Sequence, residues 1–152
     1  MNDNRIVVAE FCDDIRHEVG FKYSLMGCYS GGELIVDSLP IVLPKLFTSI
    51  IALSPIDKPF LSLTFRAYLN TDLISENEIP AQSLKESYAS IIDKANDSSR
   101  FSITIHMGFV PLVIQENSVL RIEAETEDGI IKGSRLSIRQ RLETDPLVIQ
   151  SE

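Results

Sequence analysis

The segment 12–18, Cys-Asp-Asp-Ile-Arg-His-Glu, brings together side-chain types that bind metals or move protons. Carboxylates and imidazoles ligate divalent metals and act as general acids and bases. A helical turn would gather Asp14, His17 and Glu18, because these residues stand three and four positions apart. A polar connection between two strands, with Asp13 in the turn, explains the same composition. We predict this solvated connection and no metal ligand, with Asp13, Asp14, His17 and Glu18 as the alternative metal or catalytic set.

Other patterns that carry catalysis are absent from the sequence or incomplete in it. No Gly-x-Ser-x-Gly motif of a nucleophile elbow occurs. The Gly-rich residues 30–33 lack the Lys and the following helix of a phosphate-binding loop, so they predict a tight turn. Cys28 would form a nucleophilic dyad with His17 or His106 only if the fold brought the two together. We therefore predict no catalytic residue and no cofactor.

Calcium is a further alternative, because acidic loops at one end of a β-sandwich bind it when carboxylates converge from two loops. The carboxylates that would be needed lie far apart in the sequence, at Asp13, Asp14, Glu127 and Asp128. The sequence does not place their two loops at a common end, so this alternative stays open.

The composition is that of one acidic globular domain. The chain has 152 residues, enough to bury roughly 70% of its unfolded surface. Its 22 acidic and 14 basic residues give a net charge of −8, which repels phosphate backbones and anionic lipids. We predict no nucleic-acid or membrane partner, and expect the arginines at 135–141 to pair across strands with the glutamates at 123–127. The domain is predicted to span 1–152, with tails at 1–4 and 143–152, the apolar residues 147–149 docking on the sandwich or on a second subunit.

Cysteine usage and terminal composition predict a cytoplasmic location. Residues 1–5 contain no basic segment followed by an apolar run, and no stretch has the roughly 18 apolar residues needed to span a bilayer. Cys12 and Cys28 lie in successive predicted strands. A hairpin with its tip near His17 would separate their thiols by about 20 Å, too far for a disulfide. We expect two reduced thiols, apart from each other.

Alternation of apolar and polar residues predicts a mainly β domain. Residues 61–69 show it most clearly, and 101–106 and 120–125 repeat it. Residues 6–12 are apolar on both faces apart from one Glu, as in a strand covered by another layer. Further strands are predicted at 22–29, 33–36, 46–54, 111–115 and 134–140. Turn-forming residues separate these segments, so the predicted fold is a β-sandwich of about seven to nine antiparallel strands.

One segment has helical rather than strand periodicity. Ser83 and Glu86 fit the capping box that starts a helix, and Asn96 fits its end. We predict one helix over about 83–95, laid across an end or an open face of the sandwich. Its buried face is predicted to consist of Leu84, Tyr88, Ile91 and Ile92.

The last two predicted strands form a hairpin whose alternation requires a bulge. Asp128-Gly129 suits a two-residue turn. Uninterrupted pairing from that turn would place apolar residues beside charged ones on the same face. One extra residue at Gly133 repairs the alternation. The predicted pairs are then Ile122 with Leu136, Leu120 with Ile138 and Glu123 with Arg135.

A longer pattern extends over the N-terminal third of the chain. Residues 11–29 carry Asp-Asp-Ile-Arg…Glu…Lys-x-Ser-Leu-x-Gly-x-Tyr, and residues 39–46 continue it with Leu-Pro-Ile-Val-Leu-Pro-Lys-Leu. In this pattern the chain resembles an uncharacterised bacterial β-rich family, a domain of unknown function. The likeness covers the first third well and the remainder loosely. It implies a bacterial or phage source and assigns no activity, ligand or functional residue.

Two functional hypotheses follow. The missing catalytic motifs and the sandwich-like periodicity favour a non-enzymatic protein-binding or assembly module, which presents an edge strand or loops to a protein partner or to a second copy. Fold class alone does not establish this function. The alternative is a metal-dependent or hydrolytic enzyme that uses Asp13, Asp14, His17 and Glu18.

Overall fold

The computed structural model describes residues 4–94 and 99–145. In these residues the chain forms eleven β-strands and one α-helix, with a short 3-10 turn at Ser30–Gly32. The elements are β1 (Ile6–Glu18), β2 (Lys22–Cys28), β3 (Glu33–Val36), β4 (Ile41–Leu43), β5 (Leu46–Pro55), β6 (Leu63–Leu69), β7 (Asp72–Ile79), α1 (Ala81–Lys94), β8 (Arg100–Phe109), β9 (Leu112–Ile114), β10 (Ser118–Thr126) and β11 (Gly129–Gln140).

Two main sheets enclose one apolar core. Sheet A has the strand order β2-β1-β5-β8, sheet B has the order β3-β11-β10-β6-β7, and β4 pairs with β9 in a two-stranded sheet. Side chains from both main sheets form one cluster, with Ile50 and Phe101 from sheet A and Phe65 and Leu136 from sheet B all fully buried. The predicted class, a β-rich sandwich-like fold with one helix, is confirmed.

The strand count and one strand direction differ from the prediction. β4 and β7 were not predicted, and β3 pairs with β11 in parallel rather than antiparallel fashion. β4 is three residues long, between Pro40 and Pro44. β7 is an edge strand whose sequence, Asp-Leu-Ile-Ser-Glu-Asn-Glu-Ile, lacks regular alternation because most of its side chains are exposed.

The helix α1 begins two residues earlier than predicted and buries a narrower face. It starts directly after Pro80, whose carbonyl accepts the backbone N–H of Leu84 at 3.1 Å. The predicted Ser83 capping box is therefore wrong. Leu84 is 2% exposed and Tyr88 packs edge-on against Phe101, but Ile92 is 46% exposed, so its predicted burial is also wrong. The predicted end at Asn96 lies outside the described residues.

The hairpin of β10 and β11 contains the predicted bulge but has a different register. Arg121 pairs with Arg135 and Glu123 with Lys132, so β11 carries one extra residue opposite Ile122, at 133–134. The predicted pairs are wrong, since the turn lies one residue earlier than Asp128-Gly129. Thr126 pairs with Gly129, and its hydroxyl accepts the Asp128 N–H and donates to the Gly129 carbonyl. Leu120 therefore faces Leu136 and Ser118 faces Ile138.

The bulge brings β11 close to β1 of the other sheet. A Cβ added at Gly133 would lie 3.0 Å from the Ile122 carbonyl oxygen and 3.1 Å from that of Val7. The Ser134 hydroxyl accepts the Ala9 N–H at 2.9 Å. A side chain at position 133 would therefore have to push back backbone of both sheets, which glycine avoids.

Replacement of Gly133 by Ala is expected to lower the free energy of unfolding by about 1–3 kcal/mol, since the added methyl group must displace backbone. Urea unfolding measures the loss. Lys132→Ala is the matched control, because Lys132 is exposed on the same strand, and surface substitutions usually stay within about 0.5 kcal/mol. Equal stability of the Gly133→Ala and wild-type proteins would contradict the close approach.

A buried arginine, Arg5, ties the start of β1 to sheet B. Its side chain is 1% exposed and donates to Glu127 at 2.6 Å and to the Pro59 carbonyl at 2.7 Å. The guanidinium also lies 4.9 Å from the centre of the Phe60 ring. Glu127 in turn accepts the N–H of Leu61 and Ser62. Arg5 therefore joins β1, the 58–62 connection and the β10–β11 turn.

Arg139 and Arg141 have different partners from those predicted. Arg139 binds Glu33 and Asp145, and Arg141 binds Asp37 at 3.3 Å. The glutamates at 123–127 bind Arg121, Arg66 and Arg5 instead. Parallel pairing of β3 with β11 explains the change of partner for Arg139, because this pairing places Glu33 alongside β11.

The chain ends bear on two further predictions. Asp145 accepts hydrogen bonds from Arg139 and from the Leu142 N–H, so the predicted C-terminal tail starts with a bonded turn at 142–145. The predicted docking segment 147–149 lies outside the described residues. In the described parts of the chain, no helix combines the length and apolar character needed to cross a bilayer.

Candidate functional site

The hairpin of β1 and β2 folds back over the outer face of sheet A. Glu10, Ser49 and His106 are neighbours in one row across β1, β5 and β8. His17 lies seven residues beyond Glu10, a distance of about 23 Å along an extended strand. The rings of His17 and His106 are nevertheless 5.4 Å apart between their centres. β1 must therefore bend between these rows and return across the sheet.

Burial on the outer face agrees with this path. Ser49 is 3% exposed although its row faces away from the core. Tyr23 and Leu25 of β2 line a small cavity together with Val8 and Ile51 of the sheet. We name residues 13–27 the flap, since they cover part of sheet A as a third layer.

The bend is fixed by Asp13, Asp14 and Gly27. Gly27 has φ +68°, and a Cβ there would collide with the Asp13 carboxylate. That carboxylate accepts a hydrogen bond from the Tyr29 hydroxyl, and burial together with this bond raises the pKa of Tyr29. Asp14 binds Lys45 at 3.0 Å, which lowers the pKa of its carboxyl. Asp13 and Asp14, two of the four candidate metal ligands, therefore form structural contacts at the base of the flap.

A cleft of about 620 Å³ lies between the flap and β8. The flap contributes His17, Glu18, Lys22 and Tyr23, and β8 contributes His106. The structure thus brings His17 and Glu18 together but leaves Asp13 and Asp14 at the bend. Tyr23 was missed as a site residue, and His106 was considered only as a dyad partner of Cys28.

The electrostatics of the cleft favour a neutral imidazole at His106. Burial, and secondarily the charge of His17, lower the pKa of His106. The Tyr23 and His106 rings are 4.5 Å apart between their centres in an edge-to-face arrangement. The buried His106 Nε2 has no hydrogen-bond partner in the described part of the chain. A neutral imidazole nitrogen can accept a proton or bind a metal.

A complete metal centre needs further ligands. Structural and catalytic zinc sites use three or four protein groups. Among residues 4–94 and 99–145, no group of three or more His, Cys, Asp and Glu side chains is arranged to hold a metal ion. His17 and His106 therefore supply at most part of such a site.

The tip and edge of the flap are apolar and exposed. Val19 and Phe21 are 95% and 109% exposed, and Phe21 has φ +60° in the turn. β2 lies at the edge of sheet A and exposes Tyr23 and Met26, with Lys22 as its only charged residue. β7, one of the two edge strands of sheet B, is different, because it carries three carboxylates in eight residues.

No protein-family model matches the chain, and no characterised protein shows significant sequence similarity to it. The resemblance to a bacterial family of unknown function therefore stays a prediction. The flap, its cleft and the free edge of β2 are the features of the molecule that bear on function.

Proposed function

We propose that this protein is a non-enzymatic binding module that takes an extended segment of a partner protein along the free edge of β2. The observation that carries the proposal is the full exposure of Val19 and Phe21 at the tip of the flap, next to that edge. Large apolar side chains at such a position stabilise the protein only when another surface covers them and removes them from water. Covering Phe21 alone stabilises a complex by about 1.5–3 kcal/mol.

The backbone of β2 supports strand addition. An edge strand has unpaired N–H and C=O groups, and proteins normally protect such edges with charges. β7 follows that rule with Asp72, Glu76 and Glu78, whereas β2 has one charged residue in seven. A peptide strand added to β2 would gain main-chain hydrogen bonds, and Tyr23 and Met26 would provide side-chain contacts.

The net charge favours a separate partner over a second copy. Two chains of charge −8 repel each other, whereas a basic or neutral segment is attracted or tolerated. The proposed partner is therefore an extended, apolar and basic protein segment. A cytoplasmic location belongs to the same proposal, and the free thiols of Cys12 and Cys28 support it.

Site-specific photo-cross-linking in the source cell tests this proposal. A cross-linking residue at position 26 is expected to give one discrete protein adduct. The same residue at position 76, on the edge strand β7, is the matched control and is expected to give none. An adduct at twice the chain mass would identify a second copy instead of a separate partner.

A tip variant makes the test specific for the flap. Val19→Ser with Phe21→Asn removes the exposed apolar surface, and Asn tolerates the positive φ of position 21. We expect the adduct yield at position 26 to fall about tenfold or more, as lost apolar burial of this size predicts. The melting temperature should stay unchanged. An unchanged adduct yield, or equal adducts at positions 26 and 76, would overturn the proposal.

A metal-dependent or hydrolytic enzyme remains the second candidate, with a reduced residue set. The observation that favours it is the meeting of His17 and His106 in a cleft that Glu18 also lines. Elemental analysis of the purified protein tests it: stoichiometric zinc, manganese or calcium that is lost on His106→Gln replacement would support this candidate over the binding module.

A further inference from the structure

The two cysteines lie opposite each other at the base of the flap. Cys12 of β1 and Cys28 of β2 are direct register partners, so the predicted separation of their thiols is wrong. The hairpin turns around Gly20, with Glu18 paired to Lys22, rather than around His17. Because the tip lies three residues later than predicted, the residue of β1 that pairs with Cys28 also changes, by six positions.

The ladder geometry at this pair suits a disulfide. The adjacent Tyr29 N–H donates to the Phe11 carbonyl at 2.9 Å, which makes the neighbouring pair a hydrogen-bonded one. Hydrogen-bonded and non-hydrogen-bonded pairs alternate, and at the latter the Cα atoms are about 4.5 Å apart, with both side chains on one face. Disulfides span Cα separations of about 4.4–6.8 Å. The register pair of Cys12 and Cys28 is of this second kind, and its typical Cα separation falls within the disulfide range.

The two thiols differ in access. Cys28 is exposed, whereas Cys12 is fully buried and its Sγ donates to the Asp14 carbonyl at 3.3 Å. Burial, and then the charge of Cys28, raise the pKa of Cys12. A soluble oxidant therefore meets Cys28 first, and Cys12 is held beside it.

We propose that Cys12 and Cys28 form a reversible intramolecular disulfide that closes the base of the flap, with a peroxide as the oxidant. The Cys28 thiol loses its proton, and the thiolate attacks one peroxide oxygen as the O–O bond breaks. The leaving hydroxide takes up that proton, so the products are a sulfenic acid and water. The Cys12 thiol attacks the Cys28 sulfur, the S–O bond breaks, and a second water leaves. Two thiols lose two electrons and two protons, and one hydrogen peroxide is reduced to two waters.

Reduction returns the protein to its original state by thiol–disulfide exchange, in which a small dithiol attacks one sulfur of the bond. In the oxidised form residues 13–27 become a covalently closed loop. The bend at Asp13 and Gly27 lies just inside this closure, so the cross-link restricts movement of the flap away from sheet A. The site is thus an oxidation-dependent lock on the flap, and it does not depend on what the free edge of β2 binds.

Peroxide treatment of the purified full chain tests the lock. Free thiols per chain should fall from two to none without a change in molecular mass, and dithiothreitol should restore both. Peptide mass spectrometry without reductant should recover the peptides of Cys12 and Cys28 joined. Persistence of both thiols, or a bond between two chains, would overturn the proposal.

Two single variants separate the roles of the thiols. Cys12→Ser is expected to accumulate a Cys28 sulfenic acid that dimedone traps. Cys28→Ser should react with peroxide at least about tenfold more slowly, because Cys12 is buried. Equal rates for both variants would contradict the assigned order.

Hydrogen exchange reports the effect on the flap. In the oxidised wild-type protein, amides of residues 13–27 should exchange more slowly than in the reduced form, while amides of β7 stay unchanged. Peroxide-treated Cys12→Ser is the control for oxidation without a cross-link, and it should show no slowing. An equal exchange rate in the oxidised and reduced wild-type proteins would show that the bond does not lock the flap.

Discussion

Replacement of Arg5 by Ala is expected to lower the free energy of unfolding by about 3–5 kcal/mol, the cost of breaking a buried ion pair by removing one partner. The guanidinium is 1% exposed and binds Glu127 at 2.6 Å. Its loss leaves a Glu127 carboxylate that is 23% exposed, and it removes a donor from the Pro59 carbonyl and the cation from the Phe60 ring. Urea unfolding measures the change.

Arg141→Ala is the matched control for this experiment. Arg141 pairs with Asp37, whose side chain is 93% exposed, and exposed pairs contribute at most about 1 kcal/mol. Similar losses for the two arginine variants would show that Arg5 does not tie the two sheets together.

The ion pair of Arg5 and Glu127 also makes the difference in unfolding free energy between the wild-type and Arg5→Ala proteins depend on pH. Burial raises the pKa of Glu127, but the hydrogen bonds from Arg5 and from backbone N–H groups outweigh it and hold the pKa below its ordinary value of 4.5. A depressed folded pKa contributes stability above the unfolded pKa, and this stability is lost as pH falls through the folded pKa. The difference between wild-type and Arg5→Ala proteins should therefore be full at neutral pH and shrink below 4.5.

Replacement of Leu84 by Ala is expected to lower the free energy of unfolding by about 2–5 kcal/mol, the range for truncating a fully buried leucine side chain. Leu84 is the one residue of α1 with a described side chain that is fully buried, at 2% exposure. Chemical denaturation followed by circular dichroism measures the loss.

Ile92→Ala is the control on the same helix, because Ile92 is 46% exposed and its truncation should change stability by less than about 0.5 kcal/mol. Equal costs at the two positions would mean that α1 docks through a broader face than the structure describes.

Local alternation predicted most of the fold. Alternation predicted β6, β8 and β10, and Phe65, Phe101 and Leu120 on their inward faces are fully buried. The bulge near Gly133 was also predictable, because a slip of one residue would have turned an apolar face to solvent. Both inferences need only neighbours along the strand or across one turn.

Features that depend on distant contacts escaped prediction. The turn of the last hairpin is shifted by one residue, and Glu127 in that turn binds Arg5 from 122 positions earlier in the chain. The cleft between the flap and β8 was not predicted for the same reason. His17 meets His106 only because β1 bends at Asp13, and no local pattern marks a strand that will fold over its own sheet.

The parallel ladder between β3 and β11 has a consequence for the nascent chain. Leu34 and Val36 are buried in the finished domain, beside strand residues 137–140. About 100 residues separate Val36 from that partner, and a ribosome that adds about 5–20 residues per second needs about 5–20 s to supply them. During that interval β3 has no strand neighbour, so the sandwich closes only after residues 137–140 have been synthesised. A premature stop before residue 137 would therefore release a chain with an open sheet, suited to capture by chaperones and proteases.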